Sequence, residues 1–191
     1  MKKTVKEKST IKGEMVASLY DTTSARAHTL EQKIVALING PRFKGHREKY
    51  LELVKEMRES FFVREYRVEN IIVTVGRSVF AQILANDTTF TGIINYGALG
   101  TSTTAVLNAD TTLGTEVFRK VTASVSDTTN QAFIDFFYSK SDTNGTYEEF
   151  GTFIDGTATI DTGQMFTHAL TGGWVKSASE SLTVAVTYTI S

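Results

Sequence analysis

The sequence predicts an α+β protein: an N-terminal mixed helical and strand region, then a C-terminal antiparallel β-sandwich or flattened barrel. Three observations predict it. Hydrophobic spacing is partly helical before Asn86 and reverts to period two after it. The near-zero net charge of −1 hides a split, because residues 1–75 hold 15 basic and 10 acidic side chains whereas residues 76–191 hold 5 and 11. Threonine divides the same way, 6 against 23, and threonine suits a pleated, half-buried surface.

In chain order, Ile11–Tyr20 alternates weakly and reads as a strand. Thr29 followed by Gln32 forms a capping-box pattern ahead of Leu30, Ile34, Leu37 and Ile38, and Gly40-Pro41 stops that helix. A second helix spans about Gly45 to Ser60, with Tyr50, Leu53, Val54 and Met57 at helical spacing. Phe61–Glu69 returns to period two and leads into Ile71–Val73 as a strand. A short helix runs from about Gly76 to Asn86. Five or six strands follow: Ile93–Leu99, Val117–Val125, Ala132–Lys140, Glu148–Ile154, Gln164–Leu170 and Leu182–Ile190. Asn144-Gly145 is the strongest hairpin signal between them, since Asn-Gly readily adopts positive φ. Asp155-Gly156 marks another turn. The division expected from composition and motif is 1–69, a basic mixed α/β docking region, and 70–191, a Thr-rich antiparallel β domain led by the helix over 76–86.

The chemistry-bearing residues are sparse. No cysteine is present, which excludes a disulfide scaffold, a thiolate metal site and a cysteine nucleophile. His28, His46 and His168 share no metal-type spacing and read as surface or capping residues. No Gly-x-Ser-x-Gly elbow or phosphate-binding loop occurs. Asp142, Asn144, Glu148 and Glu149 do not follow the order of a calcium loop and read as turn residues. Glu116 and Arg119 read as a structural ion pair. The expectation is therefore no catalytic residue, no cofactor and no metal. Lys2, Lys3, Lys6, Lys8 and Lys12 could form an arm on phosphates. The interleaving of Glu48, Glu52, Glu56 and Glu59 disfavours nucleic acid as a partner. Neither a secretory signal nor an apolar run long enough for a membrane span is expected. Trp174, beside Gly172-Gly173, reads first as a core residue, with a contact for a partner or a glycan as its other candidate role.

From Asn70 onward the order of segments carries a resemblance. Asn70-Ile-Ile-Val-Thr-Val-Gly-Arg77 comes first, then Tyr96-Gly-Ala-Leu-Gly-Thr101, then Asp110-Thr-Thr-Leu-Gly-Thr-Glu-Val-Phe-Arg119. Glu149-Phe-Gly-Thr-Phe153 and Ser181–Ile190 follow. This series resembles virion structural proteins of tailed bacteriophages, of the tail-fibre, baseplate or minor structural type, over about residues 70–191. The resemblance implies a non-enzymatic structural protein in the virion, made in the host bacterial cytoplasm. It implies assembly as a homo-oligomer with other virion proteins, in the tail, the baseplate or the fibre attachment. A capsid decoration or head-fibre protein is the alternative. A carbohydrate-binding host-adhesion module, using Trp174 and the aromatics of Ala132–Tyr138 on a host surface glycan, is a further one.

Overall fold

The structure, a computed structural model, describes residues 10–191. In order it runs β1 (Ile11–Asp21), α1 (Ala25–Asn39), α2 (His46–Phe61), β2 (Phe62–Ile72), α3 (Thr74–Leu84), β3 (Ile94–Gly100) and β4 (Glu116–Asp127). It ends with β5 (Gln131–Tyr138), β6 (Gly145–Ile154), β7 (Gln164–Lys176) and β8 (Glu180–Ile190). The strands close into one antiparallel barrel in the order β1-β2-β7-β6-β3-β4-β5-β8. The α+β expectation holds in outline, but the C-terminal strands are not a sandwich. β8 pairs along its length with β1 on one side and β5 on the other, and that double pairing draws the first strand into the sheet and shuts it.

The division at residues 69 and 70 falls inside β2. Strands from the basic part and the acidic part share one barrel, because each carries an apolar face that only the other can cover. Met15, Ala17 and Leu19 of β1 lie opposite Val186, Val184 and Leu182 of β8, and all six belong to the main core with Leu99, Phe136, Phe150 and Trp174. Polar groups sit within this core too, among them the Tyr138 hydroxyl, which donates to the Gly97 carbonyl at 3.0 Å. Tyr188 hydrogen-bonds through its hydroxyl with Thr152 at 2.8 Å and Thr167 at 3.0 Å, and burial pushes its pKa up to about 12.

The helical hairpin between β1 and β2 covers one outer face of the barrel. Leu30, Ile34 and Ile38 of α1, with Tyr50, Leu53 and Met57 of α2, pack on Tyr20, Ala123 and Phe137. Gly40-Pro41 does end α1. The N-cap is Ser24, whose side chain accepts from the Ala27 amide at 3.2 Å. Thr29 sits one turn inside the helix and donates to the Ala25 carbonyl at 2.9 Å, so the capping box at Thr29 and Gln32 is corrected: Ser24 is the earlier competent cap. α3 starts at Thr74, two residues before the expected Gly76.

Arg42 donates to the Thr122 and Ala123 carbonyls at 2.8 Å each, and Arg47 reaches Asp135 at 3.3 Å, tying the hairpin to β4 and β5. Burial is the main influence on Asp135 and raises its carboxyl to about 6, against the pull of Arg47. The folded state thus binds this proton more tightly than the unfolded chain, whose carboxyl titrates near 3.8. The group's contribution to stability is fully present below pH ~4 and is lost as pH rises through ~6. Asp135→Asn, which does not titrate, should therefore gain on the parent by about 2 kcal/mol between pH 4 and pH 7.5. Urea unfolding of both proteins at the two pH values reads this out. A constant difference between them would overturn it.

The expected hairpin at Asn144-Gly145 is not one. β5 pairs with β4 and β8, and β6 pairs with β3 and β7, so the chain crosses here between separate parts of the barrel wall. Asn144 is held instead by the buried Lys176, whose ammonium donates to its side-chain oxygen at 2.8 Å and to the Thr143 carbonyl at 3.0 Å. Desolvation lowers the Lys176 pKa to about 8, although Asp142, Glu31 and Glu180 pull it upward. At Asp155-Gly156 the chain does return, from β6 to its ladder partner β7, with Asp155 at a φ of 52°.

No helix among the described residues is long and apolar enough to cross a membrane.

Candidate functional site

The densest polar cluster lies where the long connection from β3 to β4, residues 101–115, folds back over β6 and β7. Leu113 of this connection packs against Ala98, Phe153 and Met165, covering an apolar patch. Polar contacts surround that patch. Glu149 of β6, 1% exposed, directs its carboxylate at the connection. One oxygen accepts the Thr115 amide at 2.8 Å and the Ser102 amide at 3.2 Å, and the other accepts the Gly114 amide at 2.9 Å. One buried anion thus binds both ends of the connection.

His168 of β7, 4% exposed, completes the cluster. Its Nε2 lies 3.0 Å from Glu149 and its Nδ1 lies 2.8 Å from Asp110 of the connection. Ionised carboxylates only accept, so this geometry is fully satisfied when both ring nitrogens carry protons and donate. Asp110 also accepts the Leu107 amide at 2.8 Å, fixing the turn that presents it. The result is a carboxylate–imidazole–carboxylate clasp joining the barrel wall to the connection. Gly100 is required at its base, since a Cβ there would lie 2.4 Å from the Glu149 carboxylate and 2.7 Å from the Thr115 carbonyl oxygen.

Just beyond the connection, Glu116 and Arg119 form a second buried fastening. Their side chains are 0% and 2% exposed and meet at 2.5 Å and 2.7 Å in a two-point pair. Arg119 also donates to the Thr162 carbonyl at 2.8 Å and the Thr157 carbonyl at 3.2 Å, while Glu116 accepts the Asp161 amide at 3.1 Å. The pair therefore holds the β6–β7 turn against β4, and the ion-pair reading of these residues is the one the structure shows.

A cavity of about 410 Å³ borders the clasp, lined by Leu107, Asp110, Thr112, Gly114, Glu149 and His168. Every acceptor of Glu149 in that wall faces a protein N–H, and both nitrogens of His168 face carboxylates. Chemically the arrangement is a fastener: its polar groups are committed to each other and to the connection. Among the described residues no group of three or more His, Asp or Glu has a metal-holding arrangement.

The sequence-level candidates fall elsewhere. Trp174 is 1% exposed, stacked on Tyr66 at 6.4 Å and tilted against Phe150 at 5.8 Å. Gly172 and Gly173 adopt φ of 70° and 88° within β7, so the glycine pair kinks a strand where a loop had been expected, and the indole packs in the core, the favoured of its two sequence readings. Phe136, Phe137 and Tyr138 are buried as well. Of the aromatics on which a glycan contact would have rested, only Phe133 is half-buried, with the Arg47 guanidinium over its ring at 5.8 Å, and the others are core residues. His168 is likewise a buried partner of two carboxylates and not a surface histidine. His46 is buried, with Nε2 at 3.1 Å from the Leu37 carbonyl at the end of α1, and His28 stays on the surface of α1 beside Gln32.

Asp142 accepts the Ser139 amide at 2.7 Å and pairs with Lys120 at 2.6 Å, a turn role in keeping with the sequence reading. Lys2, Lys3, Lys6 and Lys8 lie outside the described residues. Lys12 borders a groove of about 960 Å³ together with Glu14 and Glu69, a rim of mixed sign that does not extend a basic stripe. In comparisons with known proteins, the chain matches no family model, no curated protein and no solved structure.

Proposed function

We propose that this chain is a non-enzymatic structural component of a tailed-phage virion, assembling as a homo-oligomer in the tail, the baseplate or the fibre attachment. One observation carries the reading. The residues of the ordered motif series converge on the two fastenings. Asp110, Leu113, Glu116 and Arg119 come from one segment, and Glu149, Gly151 and Phe153 from another. Gly100 comes from the glycine-threonine turn. Asp110 and Glu149 grip His168, Leu113 packs on Phe153, and Gly151 leaves room for Leu113, since a Cβ there would meet its side chain at 3.0 Å. A pattern that spends its charged residues on pinning a connection to a barrel wall fits a part selected for a fixed shape. Threonine-rich strands and few lysines after Gly76 suit surfaces that become covered by neighbours.

Electron microscopy of purified particles, with an antibody raised against the protein, tests the placement, and quantitative mass spectrometry gives the copy number. Copies numbering a few to tens, labelled at the tail or its end, are the expected result. Hundreds of copies on the head would move the protein to capsid decoration, and absence from purified particles would overturn the reading.

A further inference from the structure

We infer that Lys176 and Asn144 join covalently: the Lys176 amine attacks the Asn144 side-chain amide and expels ammonia, leaving an isopeptide bond inside the folded chain. The inference goes beyond the virion reading above and does not depend on it.

It starts from a buried ammonium without a counter-charge. Lys176 is 1% exposed, and its Nζ donates to the Thr143 carbonyl at 3.0 Å and to Asn144 Oδ1 at 2.8 Å. Both acceptors are neutral. The three carboxylates whose charge acts on it are bound elsewhere. Asp142 of the β5–β6 connection pairs with Lys120 at 2.6 Å, and Glu180 of β8 pairs with Arg64 at 2.7 Å. Glu31 of α1 accepts the Lys140 amide at 2.5 Å and lies 3.4 Å from His28. A charge buried in this way is costly, and a lysine so placed gives up its proton readily. Desolvation outweighs the three carboxylates and lowers its pKa to about 8. Near pH 7.5 about a quarter of the amine is therefore neutral, with a free lone pair.

The fold sets this amine against its target. Gly145, the first residue of β6, is the ladder partner of Lys176, the last residue of β7. Asn144 is thus held one position from that pair. A C=O bond is about 1.2 Å long, so a nitrogen 2.8 Å from Oδ1 lies within about 4 Å of Cγ. That is close to the roughly 3–3.5 Å of a near-attack arrangement, in which fixed reactants reach effective molarities of about 10⁵ M and above. Asn144 itself is exposed, so ammonia has an open path to solvent.

The step balances without an added reagent. The amine lone pair forms a bond to Cγ, and the C–N bond of the carboxamide breaks. One amine proton passes, through water at the exposed face of Asn144, to the departing nitrogen, which leaves as ammonia. Nothing is oxidised or reduced. The product is a neutral secondary amide, far cheaper to bury than an ammonium. It ties the crossing between β5 and β6 to the end of β7, 32 positions along the chain.

Trypsin reads the bond directly. From Ser141 to Ser191, Lys176 is the only lysine or arginine, so the unlinked chain, digested unfolded, yields peptides 141–176 and 177–191. Trypsin does not cut after an acylated lysine, because the charge its specificity pocket binds is gone. The linked chain should yield one peptide, 141–191, lighter than its sequence mass by one ammonia, about 17 Da. Asn144→Ala, a change at an exposed residue, should restore both the full mass and cleavage after Lys176, and Lys176→Arg should restore the full mass. The same mass loss with cleavage after Lys176 retained marks a succinimide, formed by the Gly145 amide on Asn144, and overturns the cross-link. Full sequence mass in the parent protein overturns it as well.

Discussion

Replacing Arg119 by Met should cost about 3–5 kcal/mol, because it strands the Glu116 carboxylate inside the protein without its counter-charge. The paired side chains are 2% and 0% exposed, so water cannot replace the lost partner. Arg119 also serves the Thr157 and Thr162 carbonyls, and losing those bonds should free the β6–β7 turn. The companion variant Glu116→Gln/Arg119→Met removes both charges and should recover a large part of the loss, since a buried ion pair replaced as a unit by neutral groups is often tolerated. Chemical denaturation of the parent, the double variant and both single variants, Glu116→Gln included, gives the cycle. Equal losses in the single and double variants would show that the charge left unpaired is not the cause.

Glu149→Ala should be of similar size, about 3–5 kcal/mol, for a different reason. It leaves three backbone amides, those of Ser102, Gly114 and Thr115, and one ring nitrogen of His168 without their acceptor. The effect should be local first. Amide exchange over residues 101–115 should accelerate at least tenfold under conditions where the paired strands β1 and β8 are unchanged, because the connection is held to β6 by this one carboxylate and the packing of Leu113. Glu149→Gln keeps the shape but turns one acceptor into a donor, so it should fall between the parent and Ala. A Glu149→Ala protein whose connection exchanges like the parent's would show that Leu113 and the Asp110–His168 contact suffice to retain it.

The local elements were legible because each obeys a rule of neighbours along the chain. The strict alternation of Leu182–Ile190 and the helical spacing of Tyr50, Leu53 and Met57 name a face without any knowledge of what covers it. Gly40-Pro41 stops α1 by backbone chemistry alone. The misses came where two local signals competed or where a signal did not reach its partner. Ser24 and Thr29 both offer a cap, and position relative to β1 chose Ser24. Asn144-Gly145 permits a tight turn, yet its flanking strands take other partners, so the permission goes unused.

The clasp shows the same limit at the level of the site. The motif segments already contained Asp110, Glu116, Arg119 and Glu149, and Thr167 and His168 interrupt the apolar run Met165–Leu170. Those residues are 19 to 58 positions apart across the hydrogen bonds that join His168 to Glu149 and Asp110, and no periodicity connects them. Burial bears out the core reading of Trp174 but corrects its setting, since the Gly172-Gly173 pair reads from sequence as a loop and is in the barrel a kink in a paired strand. The opposed charges of the two parts are partly used within one chain, in Arg64 with Glu180 and Arg47 with Asp135.

What the sequence alone determined is the inventory: which segments are helix or strand, which face of each is apolar, and that two regions of different charge and composition follow each other. Only the tertiary structure decided that the strands close into one barrel across that compositional step, that the charged motif residues are fasteners, and that side chains of β2 and β7 close most of the seam between them. The physical reason is reach. Periodicity and backbone preference act over a few residues, whereas strand pairing and the burial of a charge depend on partners chosen from the whole chain by the requirement that every apolar face be covered and every buried polar group bonded.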